Sequence, residues 1–134
     1  SAQNFEIEVT ERTVMNSAQE TISKLVKLKQ LGFKLSIDDF GTGYSSLSYL
    51  QKLNFSELKI DQSFTAKINE AGTFAIVRSI LQIANHLEMN TVAEGVETEE
   101  QVELLKEIGC KIGQGYYFYR PMSLQQLEGE YVLK

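Results

Sequence analysis

The sequence contains one cysteine, one proline and no tryptophan. A single cysteine excludes an internal disulfide and fits a reducing compartment, so a cytoplasmic location is expected. No apolar run approaches the roughly 18 residues that a membrane-spanning helix needs, and no membrane contact is expected of this segment. Residues 1–10 alternate apolar with acidic residues where a secretory signal would show a basic start and an apolar block. Positive charge is also in deficit. There are 13 Lys+Arg against 18 Asp+Glu, a net charge of −5. That balance argues against a duplex nucleic acid partner, which is held by Lys and Arg neutralising phosphates. An anionic substrate stays open, provided bound metal ions reverse the local charge. The 134 residues fit one domain, and 43% hydrophobic content suffices for a core.

Short β-like runs alternate with amphipathic helices, the order of βαβ units and a parallel sheet. Strands are expected at residues 5–9, 34–38, 57–60, 90–93 and 111–115. In the first, Phe5, Ile7 and Val9 share one face and Glu6 and Glu8 the other. A helix over 18–31 has Ser17 and Glu20 at capping-box spacing, Ile22, Leu25, Val26 and Lys29 in helical period, and Gly32 as its stop. Leu47, Leu50 and Leu53 suggest a short helix. A longer one over 74–87 turns Val77, Ile80, Leu81 and Ala84 inward. Thr98 and Gln101 cap a helix that buries Val102, Leu105 and Ile108, and Ser123 and Gln126 open a last one.

Each strand ends in polar, mostly acidic residues: Glu8 and Glu11, Asp38 and Asp39, Lys59 and Asp61, Glu94 and Glu97, and Gln114. Positions 8, 38, 59, 94 and 114 lie 20 to 35 residues apart. A (β/α)₈ barrel of about 250 residues has a unit of about 31. Alternation within the strands lets Glu8, Asp38, Lys59, Glu94 and Gln114 face one axis at the C-terminal rim, where such folds place their chemistry. Converging carboxylates repel and lose hydration, so the cluster calls for cations. With one histidine and one isolated cysteine, oxygen-ligated Mg²⁺ or Mn²⁺ fits better than Zn²⁺. The plainer alternative is that acidic residues end strands by chance and sit in solvent.

At these residues the sequence resembles an EAL domain, the bacterial phosphodiesterase that hydrolyses cyclic di-GMP. The matching stretches are Glu8-Val9-Thr10-Glu11, the run from Asp38-Asp39-Phe40-Gly41-Thr42-Gly43-Tyr44 to Leu47, and Leu58-Lys59-Ile60-Asp61. Val92-Ala93-Glu94-Gly95-Val96-Glu97-Thr98, Gly113-Gln114-Gly115-Tyr116 and Arg120-Pro121 complete them. The resemblance implies the C-terminal part of a (β/α)₈ TIM-type barrel, an α/β fold with about five strands here, and residues 1–134 as a partial EAL domain. It implies two Mg²⁺ or Mn²⁺ ions, with Glu8, Asp38 and Asp39 as metal ligands. Lys59 matches the lysine at the attacking water, and Glu94 the general base or metal-water partner. Asp61, Glu97 and Gln114 match residues lining the site. Glu11 matches the glutamate that anchors the glycine loop and couples metal binding to dimerisation.

The Glu-Ala-Leu motif and the asparagine ligand that follows it in the family are absent. The expectation is therefore a chain inactive by itself, paired with the remainder of the same barrel or with a second copy, as a homodimer or through an exchanged element. The complete domain would hydrolyse cyclic di-GMP to linear pGpG. A non-catalytic cyclic di-GMP receptor or protein-interaction domain is the alternative. On chemistry alone, a Mg²⁺-dependent barrel enolising a carboxylate is a third reading.

Among single residues, His86 is expected to cap a helix C-terminus and Cys110 to pack as a small hydrophobe. Gly41 and Gly43 are expected at φ > 0. Tyr116, Tyr117, Phe118 and Tyr119 are expected mostly to alternate into the core, with base stacking on one ring as the alternative. Arg120 is open between a phosphate and a carboxylate partner.

Overall fold

The computed structural model describes residues 1–16, 19–43 and 47–131. Ser17, Tyr44, Ser45 and Ser46, to which the sequence assigns a helix cap and part of the glycine loop, lie outside the described residues. After a 3-10 turn at Ala2–Asn4 the order is β1 (Glu6–Thr10), α1 (Glu11–Met15), α2 (Gln19–Gln30), β2 (Lys34–Phe40), α3 (Leu47–Leu53) and β3 (Glu57–Ile60). It continues with α4 (Gln62–Ala66), α5 (Ala71–His86), β4 (Asn90–Ala93), α6 (Glu99–Glu107), β5 (Ile112–Gly113) and α7 (Leu124–Tyr131). All four strand pairs are parallel, in the order β1-β2-β3-β4-β5. This is an α/β half-barrel whose sheet is not closed. Among the described residues, no helix is long and apolar enough to cross a membrane.

Register fixes the two faces. Ile37 pairs with Leu58 and Ile60 with Ala93, and all four are 0% exposed beneath the helices. From the helix side Leu25, Val77, Ala84 and Leu105 meet them, with Phe55 filling the turn into β3. Burying one such side chain is worth about 1.5–3 kcal/mol, so this layer sets the sheet's geometry. The opposite face carries Glu6, Glu8, Ser36, Asp38, Glu57 and Lys59, as the alternation requires.

Several elements differ from the sequence expectation. Val26 is 40% exposed, and α2 holds the core through Ile22 and Leu25 instead. The Lys29 ammonium of the same helix reaches the carbonyls of Leu53 and Asn54. Helix α5 begins at Ala71, a turn earlier than its apolar period starts. Helices α1 and α4 are single turns too short to show a period, each started by a side-chain cap from Thr10 or Asp61.

Strand β5 lasts only two residues, because Gly115 crosses over Val96 and the chain turns. Tyr117 N–H then donates to Val96 O at 2.9 Å. The aromatic run is consequently a turn, and strand alternation does not apply to it. Tyr116, Tyr117, Phe118 and Tyr119 are 42–59% exposed, which corrects the core assignment. Arg120 stacks over the Tyr116 ring at 5.0 Å. Cys110 is buried among apolar side chains, and His86 Nδ1 lies 2.8 Å from Gln82 O in the last turn of α5.

Candidate active site

The rim is built at the C-terminal ends of β1 to β4. Strand β1 delivers Glu8 and β3 delivers Lys59, and their side chains form an ion pair. Lys59 is 13% exposed and Glu8 46%. Burial alone would lower the Lys59 ammonium, but Glu8, Glu94 and Asp38 together outweigh it and hold the group above its ordinary range.

Strand β2 delivers two carboxylates by an irregularity. Between Ile37 and Phe40 it spends three residues where β3 spends two between Leu58 and Ile60. The extra residue makes a β-bulge, with Asp39 at φ 53. Simple alternation would turn Asp39 away from Asp38. The bulge brings both to one place, and Asp tolerates the left-handed conformation better than most residues. Carboxylate oxygens of Asp38, Asp39 and Glu94 all lie within 4.8 Å of one another.

The electrostatics of this trio are uneven. Asp38 is held below the usual carboxylate range, first by a hydrogen bond with Glu94, then by the Asp39 amide and Lys59, against the effect of burial. The Asp39 N–H donates to Asp38 Oδ1 at 2.8 Å. Asp39 is raised by burial, then by Asp38 and Asp61. Glu94 is pushed up to about 8 by burial and then by Asp38. Its Oε1 is buried without a hydrogen-bond partner. An orphaned carboxylate oxygen facing two further carboxylates is the donor set of a hard divalent cation.

Glu11 lies behind the rim. It is 0% exposed, and its Oε2 accepts from Gly41 N–H at 3.0 Å and Gly43 N–H at 2.9 Å. Gly41 takes the left-handed conformation at φ 98, but among the described residues Gly43 is not at positive φ. A Cβ at Gly43 would stand 3.5 Å from Glu11 Oε2, an ordinary contact, so what this residue supplies to Glu11 is its N–H.

Asp61 sits beside Asp39 and caps α4 by accepting from Ser63 N–H at 2.9 Å. Glu97 and Gln114, which follow β4 and β5, are not among the trio. The Glu97 side chain is exposed, and its N–H donates to Gln101 Oε1 at 2.8 Å. Gln114 joins β4 to the next loop through its backbone, its N–H donating to Ala93 O and its carbonyl accepting from Val96 N–H.

Residues 1–121 match the profile of the EAL domain. The chain belongs to the EAL domain family. It is 47% identical over 125 residues to the cyclic di-GMP phosphodiesterase NbdA of Pseudomonas aeruginosa, covering 92% of this chain and 16% of NbdA. It superposes on the PaMucR phosphodiesterase in complex with c-di-GMP with a TM-score of 0.89 and 45% identity, covering 94% of this chain and 51% of that one. For Klebsiella pneumoniae BlrP1 in a manganese and cyclic di-GMP complex, the TM-score is 0.84 at 37% identity, covering 90% of this chain and 31% of BlrP1. The chain thus spans about half of the MucR structure and about a sixth of NbdA.

Two contributors to the site were not singled out in the sequence. Thr10 pairs in register with Asp38 and caps α1, which begins with Glu11. Phe64 packs against Gly41. The Thr-x-x-Thr and Asp-x-Ser spacings at Thr10 and Asp61 are the available signals for their helix starts.

Proposed function

We propose that this EAL domain chain supplies the C-terminal wall of a phosphodiesterase site that hydrolyses cyclic di-GMP to linear pGpG. One observation carries the reading. The Asp38, Asp39 and Glu94 carboxylates converge around an orphaned oxygen, beside a lysine already paired to Glu8. Asp38, Asp39, Glu94 and Glu8 would hold divalent cations, with Mg²⁺ or Mn²⁺ as the expected species. Such ions supply positive charge to the phosphate and acidify water at the site.

The chain's own residues divide the remaining work. Lys59 donates from its ammonium to Glu8 at rest and to a phosphate oxygen when substrate is present, where negative charge grows. Glu94, ionised once cations are bound, accepts a proton from water. The oxygen–phosphorus bond to the water forms, the bond to the ribose 3′ oxygen breaks, and that oxygen takes up a proton. Glu11 holds the Gly41–Gly43 amides and so the loop that follows the aspartate pair. Glu97 and Gln114 line the rim beyond the trio.

The partial-domain reading, in which residues 1–134 lack the remaining ligands, belongs to the same proposal. The test is paired. The protein carrying the complete EAL domain and the purified 134-residue chain are assayed with Mg²⁺ or Mn²⁺ for release of pGpG. The complete domain is expected to turn over. Lys59→Ala and Glu94→Gln are each expected to reduce kcat about 100-fold or more, from the lower end of the range for single acid–base or charge-stabilising groups upward. The chain alone is expected to be inactive. Turnover by the chain alone would overturn the partial-site reading. Undiminished activity in both variants would overturn the assignment of roles.

A further inference from the structure

Helix α4 touches two loops at the positions where each needs a glycine. Asp61 starts the helix, and Phe64 N–H closes its first turn on Asp61 O at 3.1 Å. On one side the Phe64 ring lies against Gly41, two residues beyond Asp39. A Cβ at Gly41 would stand 2.5 Å from Phe64 Cε2 and 2.9 Å from Cζ. On the other side Gln62 lies against Gly95, the residue after Glu94. A Cβ at Gly95 would stand 2.6 Å from Gln62 Cβ and 3.3 Å from Gln62 Cα. Both glycines are at positive φ, 98 and 70. Thr65 of the helix and Ile68 just beyond it are each 1% exposed.

We propose that α4 is a wedge that sets the separation between the Asp38–Asp39 bulge and Glu94, with Phe64 and Gln62 as positioning residues that themselves touch neither substrate nor cation. The inference rests on the metal centre proposed above for its consequence, and on packing alone for its geometry. Ligand sets depend on the residues that orient them, and loss of such support typically costs 10–100-fold in metal affinity. Strand β3 hydrogen-bonds to Glu94 directly, through the Glu94 N–H to Ile60 O at 3.1 Å. Among the described residues of the glycine loop, 41–43, none pairs with β3 beyond Phe40, and Glu11 and Phe64 contact them instead.

The test uses the full-length protein with Phe64→Ala, Phe64→Leu and Gln62→Ala. Mn²⁺ binding is titrated by electron paramagnetic resonance, and hydrogen exchange is followed by mass spectrometry in peptides over 38–43, 94–96 and α5. Phe64→Ala is expected to weaken Mn²⁺ binding about 10-fold and to speed exchange over 38–43, with α5 unchanged. Phe64→Leu keeps part of the apolar contact and is expected to fall between Ala and wild type. Gln62→Ala keeps the Cα and Cβ that meet Gly95 and is expected to match wild type.

If Phe64→Ala fails to fold, Phe64→Leu decides alone. Weakened binding with unchanged α5 exchange supports the wedge, and wild-type behaviour overturns it. Exchange that rises equally in α5 marks a merely structural residue and also overturns it. If the wild-type protein binds no Mn²⁺, the metal reading fails, and exchange over 38–43 against α5 then decides the wedge by itself.

Discussion

Removing the Glu11 carboxylate tests the construction of the rim without any ligand. Its Oε2 takes two amide hydrogen bonds, from Gly41 and Gly43, in a side chain with no exposure. Bonds to an ionised partner contribute about 1.5–3 kcal/mol each, so losing both removes about 3–6 kcal/mol before any compensation. Two terms reduce this. Alanine avoids the desolvation cost that the buried carboxylate bears. The freed amides also find water, because Gly43 and its neighbour Thr42 are exposed. The net expectation for Glu11→Ala is about 1–3 kcal/mol, with the cavity left behind included. At this chain length that is a fall in Tm of about 3–5 °C per kcal/mol.

Glu11→Gln keeps an acceptor oxygen in the same place, but neutral bonds are roughly half as strong, giving a loss of about 1 kcal/mol. Urea denaturation measures both variants, and hydrogen exchange over residues 38–43 localises the effect. Glu11→Ala should speed exchange there well beyond any change in α5. Stability within about 0.5 kcal/mol of wild type, with unaltered exchange over 38–43, would refute the claim that Glu11 holds the loop.

Two further predictions follow from single groups. Glu94 is raised from its ordinary 4.5 to about 8, so the fold favours its protonated form. That contribution is fully present below about 4.5 and is lost as pH rises through about 8. The gross linkage is about 5 kcal/mol, and screening of a half-exposed group reduces it to about 1–2 kcal/mol. Metal-free protein should therefore lose stability between about pH 4.5 and 8, and Glu94→Gln should flatten the slope. Equal slopes in urea titrations of the two proteins would count against it. At α6, Thr98 accepts from Gln101 N–H at 3.2 Å, and Gln101 Oε1 returns to Thr98 N–H at 3.1 Å. Thr98→Ala should cost about 1 kcal/mol by the same measurement, and no loss would mean that the box is idle.

The sequence was most legible where structure repeats. Strands β3 and β4 fall where alternation and flanking turns place them, and Val77, Ile80, Leu81 and Ala84 of α5 are all buried as their period requires. The failures share a cause, which is geometry that occurs once. Phe5 continues the apolar alternation of β1 but precedes the strand and is 63% exposed. The aromatic run keeps a strand-like composition, yet Gly115 has already turned the chain there. A Cβ at Gly115 would stand 2.3 Å from Val96 O. The candidate site divides in the same way. Glu8, Asp38, Lys59 and Glu94 reach the rim by plain alternation, whereas Asp39 reaches it only through the bulge, which no period of two contains.

That division bears on how the charge is arranged. Glu8, Asp38, Asp39, Asp61 and Glu94 converge with one cationic side chain, Lys59, among the groups shown to act on them. Lys59 serves Glu8 directly and Asp38 and Glu94 at longer range, and Asp39 gains no relief from it. A regular β2 would turn Asp39 to the other face and spare the cluster one carboxylate. The bulge does the opposite, holding a residue in a left-handed conformation to add negative charge where it is already in excess. Strain spent on worsening electrostatics makes physical sense only if positive charge arrives from outside the chain. The acidic composition and the irregular strand thus point to the same cation-dependent chemistry, and Glu94, holding its proton near neutral pH, is the group whose state should change most when the cation binds.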